Sequence, residues 1–279
     1  MKRYLSIGLS LLFANIVLPY LTILFINGQE CCLSVKDVTL QGCLMWNLME
    51  QMPEHYAEEA AKAQAVIART NLYRDFLEGK SLSVRAKEIL AEGNERGIYF
   101  LDVKTSENLD KILKNTNTNV LIWENKICRI PYHYCSSGKT RDGQEAFHSA
   151  EYAYLQSVES SVDRENTEYL SEVYLDKEQF PVDMEVLQRD SSGCVTEISV
   201  GGEIYSGEEF QDNIELASSN FSIQNIGDNI RILCKGQGHG LGYSQYGGER
   251  LAESGKSYKQ ILKYYFPAMT ISSLAWEFS

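Results

Sequence analysis

The sequence predicts an α+β fold, a single mixed domain in which an Ala-rich helix packs on antiparallel β-sheets, preceded by one N-terminal transmembrane helix. Three observations predict it. An uncharged apolar run opens the chain, helical periodicity dominates the residues up to Asn115, and β-rich runs separated by Gly- and Asn-rich turns fill much of the rest.

The apolar run comes first. Lys2 and Arg3 precede an uncharged stretch from Tyr4 to Gly28, and roughly 20 apolar residues in a helix cross the hydrocarbon core. The basic flank would stay in the cytoplasm and place the rest outside. A cleaved signal peptide has an apolar part of about 7 to 15 residues and a small-residue cleavage site; this run is longer and ends INGQECC. The expected layout is therefore a signal anchor over 1–28, a linker over 29–37 and an extracytoplasmic domain over 38–279. With 44% hydrophobic and 23% charged residues that domain can bury a core. A net charge of −12 excludes nucleic acid as a partner, because such binders concentrate Lys and Arg against phosphate.

The segment CCLSVKDVTLQGCLMWNLMEQMP reads as a linker followed by a helix or strand. After Pro53, EHYAEEAAKAQAVIARTNLYRDFLEG is the clearest helix. Tyr56, Ala60, Ala63, Ile67 and Thr70 recur on one helical face, acidic residues occupy the first turns, and Gly79 is placed to cap the end. Further helices are expected over Ser83 to Glu92 and Ser106 to Asn115. From Asn119, NVLIWENKICRIPYHYCSSGKT holds two β-rich runs around Glu124-Asn125-Lys126, then a polar loop. FPVDMEVLQRD, CVTEISVGGEIYSGEEF and FSIQNIGDNIRILCKG add strands, and ERLAESGKSYKQILKYYFPAMTI reads as two short helices and a last strand.

The seven cysteines, at 31, 32, 43, 128, 135, 194 and 234, form no regular disulfide framework and suit buried thiols. Cys128, His133, Cys135 and His148 lack the paired C-x2-C spacing of most structural zinc sites. They read as strand residues with alternating faces, and no metal or cofactor is expected.

The stretch GHGLGYSQYGG, Gly238 to Gly248, sets five glycines among His239, Ser244 and Gln245. Its flexible backbone can approach a ligand closely and line a groove with polar groups. The other reading is a tight strand-to-helix turn whose side chains satisfy each other. Without a preceding βαβ unit or a ribose-binding acid it is no dinucleotide loop.

This stretch, with the helix and YYFP segment that follow, resembles the C-terminal signature of the stage II sporulation protein D (SpoIID/LytB) family, G-H-G-x-G-M-S-Q-Y-G-A. EEAAKAQAVIART resembles the family's E-A-L-K-A-Q-A-V-A-A-R-T helix, and IPYHYCSSGKT its F-H-S-T-S-G-G-x-T loop. The resemblance implies an extracytoplasmic lytic transglycosylase that cleaves peptidoglycan glycan strands without water, leaving a 1,6-anhydro end. It also implies work in engulfment beside an amidase and a membrane-protein partner. The zinc that some members carry is expected to be absent, since the matching interval, Gly79 to Asn119, holds neither His nor Cys.

That reaction needs one carboxyl to protonate the glycosidic oxygen and then to accept a proton from the sugar's own hydroxyl. Ordinary glycosidases use two carboxylates. In the family this Glu immediately precedes Met-Pro. Here the text is NLMEQMP, so Gln51 stands at the catalytic position and Glu50 is the neighbouring carboxyl. An amide exchanges no proton at neutral pH, and one helical step turns a side chain by about 100°. By the same resemblance Gln64, Arg69 and Thr70 on the helix, His133, Ser136, Lys139 and Thr140 in the second loop, and His239, Ser244 and Gln245 in the third motif are candidate substrate-binding residues. For Gln64 and Arg69 a helix-to-sheet hydrogen bond and an internal ion pair are the structural alternatives. Two functions stay open: an active transglycosylase, or a glycan-binding scaffold or regulator without catalysis.

Overall fold

The computed structural model describes residues 40–52, 56–80, 103–180 and 183–274. The expected anchor over 1–28, the helix over Ser83 to Glu92, and Pro53 to His55 lie outside them, and no described helix is long and apolar enough to cross a membrane. The architecture is α+β with mainly antiparallel sheets. In chain order the first elements are α1 (Leu40–Gln51), α2 (Glu58–Leu77), α3 (Val103–Thr116), β1 (Asn119–Ile122), β2 (Tyr132–His133) and α4 (Gly143–Phe147). Then come β3 (Leu170–Asp176), β4 (Met184–Arg189), β5 (Val195–Val200), β6 (Glu203–Ser206), α5 (Gly207–Asn213), β7 (Phe221–Ile226) and β8 (Asn229–Lys235). The chain continues through β9 (Tyr243–Ser244), α6 (Gln245–Glu253), α7 (Tyr258–Tyr265) and β10 (Thr270–Ser273).

The chain divides into two compact units, Met1–Gln51 with Asp75–Asn117, and Met52–Arg74 with Thr118–Ser279. In the first, α1 meets α3, and Gln41 Nε2 donates to Asp110 Oδ1. Leu109, Ile112, Leu113 and Thr116 of α3 are buried while Lys111, Lys114 and Asn115 are exposed, the three-and-four spacing of an amphipathic helix. The segment before Met52, open between helix and strand in the sequence, is helical from Leu40 to Gln51, a stretch with no proline to remove a backbone donor.

In the second unit, α2 contributes a face of small residues. Ala60, Ala61, Ala63, Ala65 and Ala68 are each 0–1% exposed, which lets the helix lie close to its neighbours. Ala63, Val66 and Ile67 join Leu121, Ile130, Tyr154, Tyr243, Leu262, Tyr265 and Phe266 in one core. This supports the expected packing of the Ala-rich helix on a sheet, since Leu121 belongs to the antiparallel β1–β10 pair. Thr70 completes the join: its hydroxyl donates to Val66 O at 2.7 Å and accepts from Leu121 N–H at 3.0 Å. The turn at Glu124-Asn125 is present, with both residues at positive φ and Trp123 paired to Lys126. Cys128 lies outside any strand, contrary to the expected strand position, because the chain between Ile127 and Pro131 makes no ladder, while Cys135 pairs with Gln237 in an isolated antiparallel bridge. Cys43, Cys135, Cys194 and Cys234 are buried free thiols and Cys128 is half-buried.

Residues 170–235 form a second core. Two three-stranded antiparallel sheets, ordered β3-β8-β7 and β4-β5-β6, supply Leu175, Val195, Ile198, Phe221, Ile230 and Ile232, and α5 adds Phe210. The capping box at the start of α5, in which Ser206 and Glu209 exchange hydrogen bonds, sets its entry. Strand β3 was not among the strands expected from the sequence. Its burial alternates, with Ser171, Val173 and Leu175 on the more buried face and Leu170, Glu172 and Tyr174 exposed.

Candidate functional site

The two loops singled out in the sequence are interleaved. Strands β2 and β9 pair in parallel, Tyr132 beside Tyr243 and His133 beside Ser244. Cys135 and Gln237 exchange backbone hydrogen bonds, Arg141 N donates to Gly240 O at 2.9 Å, and Tyr246 N donates to Tyr134 O at 2.9 Å. The backbone of one loop thus serves as a template for the other. Gly242 shows why glycine is needed: it sits at φ +72°, and a Cβ there would lie 2.3 Å from Pro131 O. The Ala-rich helix segment joins through Tyr56, whose hydroxyl lies 2.8 Å from Tyr243 Oη and donates to Gln245 O at 2.8 Å.

Gly247 and Gly248, at the start of α6, are set by the same tyrosines. A Cβ on Gly248 would lie 2.0 Å from Tyr243 Oη, and one on Gly247 2.1 Å from Tyr265 Oη. Both rings are fully buried, with centroids 5.2 Å apart in an edge-to-face arrangement. In an open helix Gly→Ala adds stability; here overpacking reverses the sign. Gly248→Ala is expected to lower stability by about 1–3 kcal/mol, and Tyr243→Phe in the same chain to return part of it. Urea midpoints of the single and double variants measure this, and additive effects would remove the explanation.

His133 is 4% exposed. Its Nδ1 lies 3.0 Å from Leu241 O, and a carbonyl only accepts, so Nδ1 carries the proton and Nε2 is an acceptor. Nε2 is buried without a partner among the described residues. Burial first, then the neighbouring His239, lowers the His133 pKa to about 3, and the ring is neutral. His239 is exposed, its ring centroid 5.8 Å from that of His133. Its Nδ1 accepts from Leu241 N–H at 3.0 Å. Surrounding protein atoms and then the Arg141 charge hold it below its ordinary range.

Ser136 and Ser244 meet at Asp163, a residue that carried no signal in the sequence. Ser136 N donates to Asp163 Oδ2 at 2.8 Å and Ser136 Oγ donates to the same oxygen. Ser244 Oγ donates to Asp163 Oδ1 at 3.0 Å and accepts from Gly247 N at 3.2 Å as the cap of α6. Asp163 is 0% exposed; burial lifts its carboxyl above the usual range, and hydrogen bonds from Ser136, Ser244 and Ser160 pull against that. Arg141 is a second unflagged residue. It is buried, and its Nε donates to Asp190 Oδ2 at 2.6 Å while Nη1 reaches Glu208 at 2.5 Å.

The other candidates sort by place. Thr140 is buried and exchanges bonds with Val158, its hydroxyl accepting from Val158 N at 2.9 Å. Lys139 is half-buried, and its backbone pairs with that of Glu159 in an isolated antiparallel bridge. Gln64 is 0% exposed within α2. Arg69 donates to Asn119 O at 3.1 Å, an arginine-to-strand bond, and burial lowers its pKa to about 10. Gln245 is buried and Tyr56 binds its carbonyl. His148 is exposed. Gln51 is half-buried at the end of α1 in the first unit, and Glu50 precedes it in that helix. No cluster of three or more metal-ligating residues occurs among the described residues.

A family model described as SpoIID, stage II sporulation protein, matches residues 29–123. Stage II sporulation protein D of Bacillus amyloliquefaciens is 28% identical over 261 residues, covering 86% of this chain and 76% of that protein. Its namesake in Bacillus subtilis (strain 168) is 25% identical over 262 residues with the same coverage. Over most of its length the chain is similar to stage II sporulation protein D. It also resembles the amidase enhancer of Bacillus subtilis (strain 168), at 56% identity over 42 residues, which is 15% of this chain and 6% of that protein. In this chain the second and third motif segments are the two interleaved loops, and Tyr56 ties the first to them.

Proposed function

We propose that this protein is a member of the SpoIID family, binds peptidoglycan glycan strands and belongs to the lytic-transglycosylase type, working in sporulation or cell-wall remodelling. Its folded part would lie outside the cytoplasmic membrane, tethered by the apolar run at Tyr4 to Gly28. The observation that carries the reading is the interleaving of the loop around His133 to Arg141 with the turn around Gly236 to Gln245. Exposed Gln237 and His239, with half-buried Tyr134 and Tyr246, offer amide, imidazole and aromatic groups of the kind that engage sugar rings. The similarity to an amidase enhancer fits an amidase as a partner.

A second reading is a catalytically inactive scaffold or regulator, and Gln51 favours it. Asp163 does not replace the missing acid, because both its oxygens face protein donors. Glu50 is the remaining neighbour in sequence.

The test uses the full-length protein in detergent, stem-peptide-free glycan strands, and mass spectrometry for 1,6-anhydro ends. Products that vanish in Glu50→Gln and persist in Gln51→Ala identify an active enzyme with a displaced acid. Binding without products identifies the scaffold, and Gln51→Glu is then expected to raise cleavage by roughly 10²–10⁴-fold, the usual worth of a positioned acid–base group. Absence of strand binding would sink both readings.

A further inference from the structure

We infer that Asp163 is a positioning residue, the single joint that holds both motif loops in the geometry in which they meet a ligand. The inference rests on the glycan-binding reading for what the loops engage, and on geometry alone for the joint. Asp163 sits in a 3-10 turn, Ser161–Glu165, outside every motif, yet its two carboxylate oxygens divide between the loops. One takes the backbone N–H and hydroxyl of Ser136, and that hydroxyl in turn accepts from Gly138 N at 3.1 Å. The other takes the hydroxyl of Ser244, which caps α6 through Gly247 N. Five groups across residues 136–138 and 244–247 therefore depend, directly or through a hydroxyl, on one buried carboxylate, and among the described residues no ion pair supports it.

The protonation state decides how well the joint serves. A carboxylate only accepts, and all its recorded partners donate. Once one oxygen is protonated, a donor must turn acceptor. Ser136 N–H cannot, so the change falls on the side of the carboxyl that the Ser244 and Ser160 hydroxyls serve, and one of them would have to leave its role as donor. Asn at this position imposes the same rearrangement at every pH without removing atoms. The groups facing Asp163 are Ser136 and Cys135 of the second motif loop, Ser160 on its own turn, Ser244 and Tyr246 of the third motif, Tyr169, and Tyr264 and Tyr265 of α7. Arg164 is its sequence neighbour, lying against Gly138 and Tyr169. The raised pKa of Asp163 means that the folded protein takes up this proton more readily than the unfolded chain. Stability from this group alone rises on acidification, so its protonation does not by itself unfold the protein.

The experiment compares full-length wild type and Asp163→Asn, each checked for fold by near-ultraviolet circular dichroism. Amide hydrogen exchange is expected to rise in both 136–140 and 244–248 of the variant, with 170–235 unchanged. Exchange that rises in one loop only, or in neither, overturns the joint. Binding of purified glycan strands is expected to weaken about 10-fold in the variant at neutral pH. On acidification, wild-type affinity, corrected for folded fraction, should fall toward the variant's value while the variant lacks that limb. Equal affinity and parallel pH profiles overturn the inference. If wild type binds no strands, the glycan reading fails and the exchange result decides the joint by itself. Should Asp163→Asn not fold, Ser136→Ala and Ser244→Ala replace it: coupled exchange in both loops from either change supports the joint, and changes confined to the mutated loop overturn it.

Discussion

Arg141→Ala is expected to lower the unfolding free energy by about 3–5 kcal/mol, the cost of leaving a buried charge without its partner. The Arg141 and Asp190 side chains are 3% and 2% exposed, with Nε to Oδ2 at 2.6 Å. Asp190 Oδ1 would keep its three donors, Ser192 N, Ser192 Oγ and Cys194 N, but Oδ2 would face the interior with nothing to accept from. The second arm of Arg141 is different, since the Glu208 side chain is 46% exposed and water screens the pair. Glu208→Ala should therefore change stability by less than about 1 kcal/mol. Urea denaturation followed by far-ultraviolet circular dichroism measures both. Equal losses from the two variants, or an Arg141→Ala loss under about 1 kcal/mol, would mean that the buried pair is not what holds this corner. The consequence reaches the site, because Arg141 N pairs with Gly240 O and the arginine side chain lies 3.3 Å from where a Gly240 Cβ would be.

Acid should destabilise the protein through His133. Its folded pKa of about 3 lies below the ordinary 6.5, so between those values the unfolded chain binds a proton that the folded protein refuses. Stability is then fully present above about 6.5 and is lost as pH falls toward 3. Each pH unit in the window costs about 1.4 kcal/mol, so the whole window amounts to about 4–5 kcal/mol. His133→Asn keeps an N–H to offer Leu241 O and removes the titration. The difference in melting temperature between wild type and His133→Asn should change steadily with pH across the window, to the relative disadvantage of wild type in acid. A difference that stays constant would show that His133 is not the group responsible. His239, the carboxylates and the opposing effect of Asp163 remain in both proteins, so the comparison isolates one ring.

The elements were legible where local chemistry is strong. Helical spacing and acidic first turns announced α2, Gly and Asn turns announced β5 through β8, and the serine caps before α6 and α7 agree with the two short helices expected near the C-terminus. Boundaries moved where flanking residues compete: α2 begins at Glu58, later than the expectation at Pro53, and α3 runs from Val103 to Thr116, longer than Ser106 to Asn115. The site was half legible. The motif residues were nameable, but their burial was not, because a serine or histidine reads the same in sequence whether it faces a sugar or a buried carboxylate.

What this sequence determined by itself was its periodicities, its glycine turns, three ordered segments that resemble the SpoIID motifs, and an amide at position 51. Only the tertiary structure decided that Asp163 holds Ser136 and Ser244 together, that Arg141 spans to Asp190, and which proton His133 carries. The reason is physical: these partners lie 27, 81, 49 and 108 residues apart. No local propensity encodes a hydrogen bond across such a distance; the packing of two interleaved loops brings the groups within 3 Å.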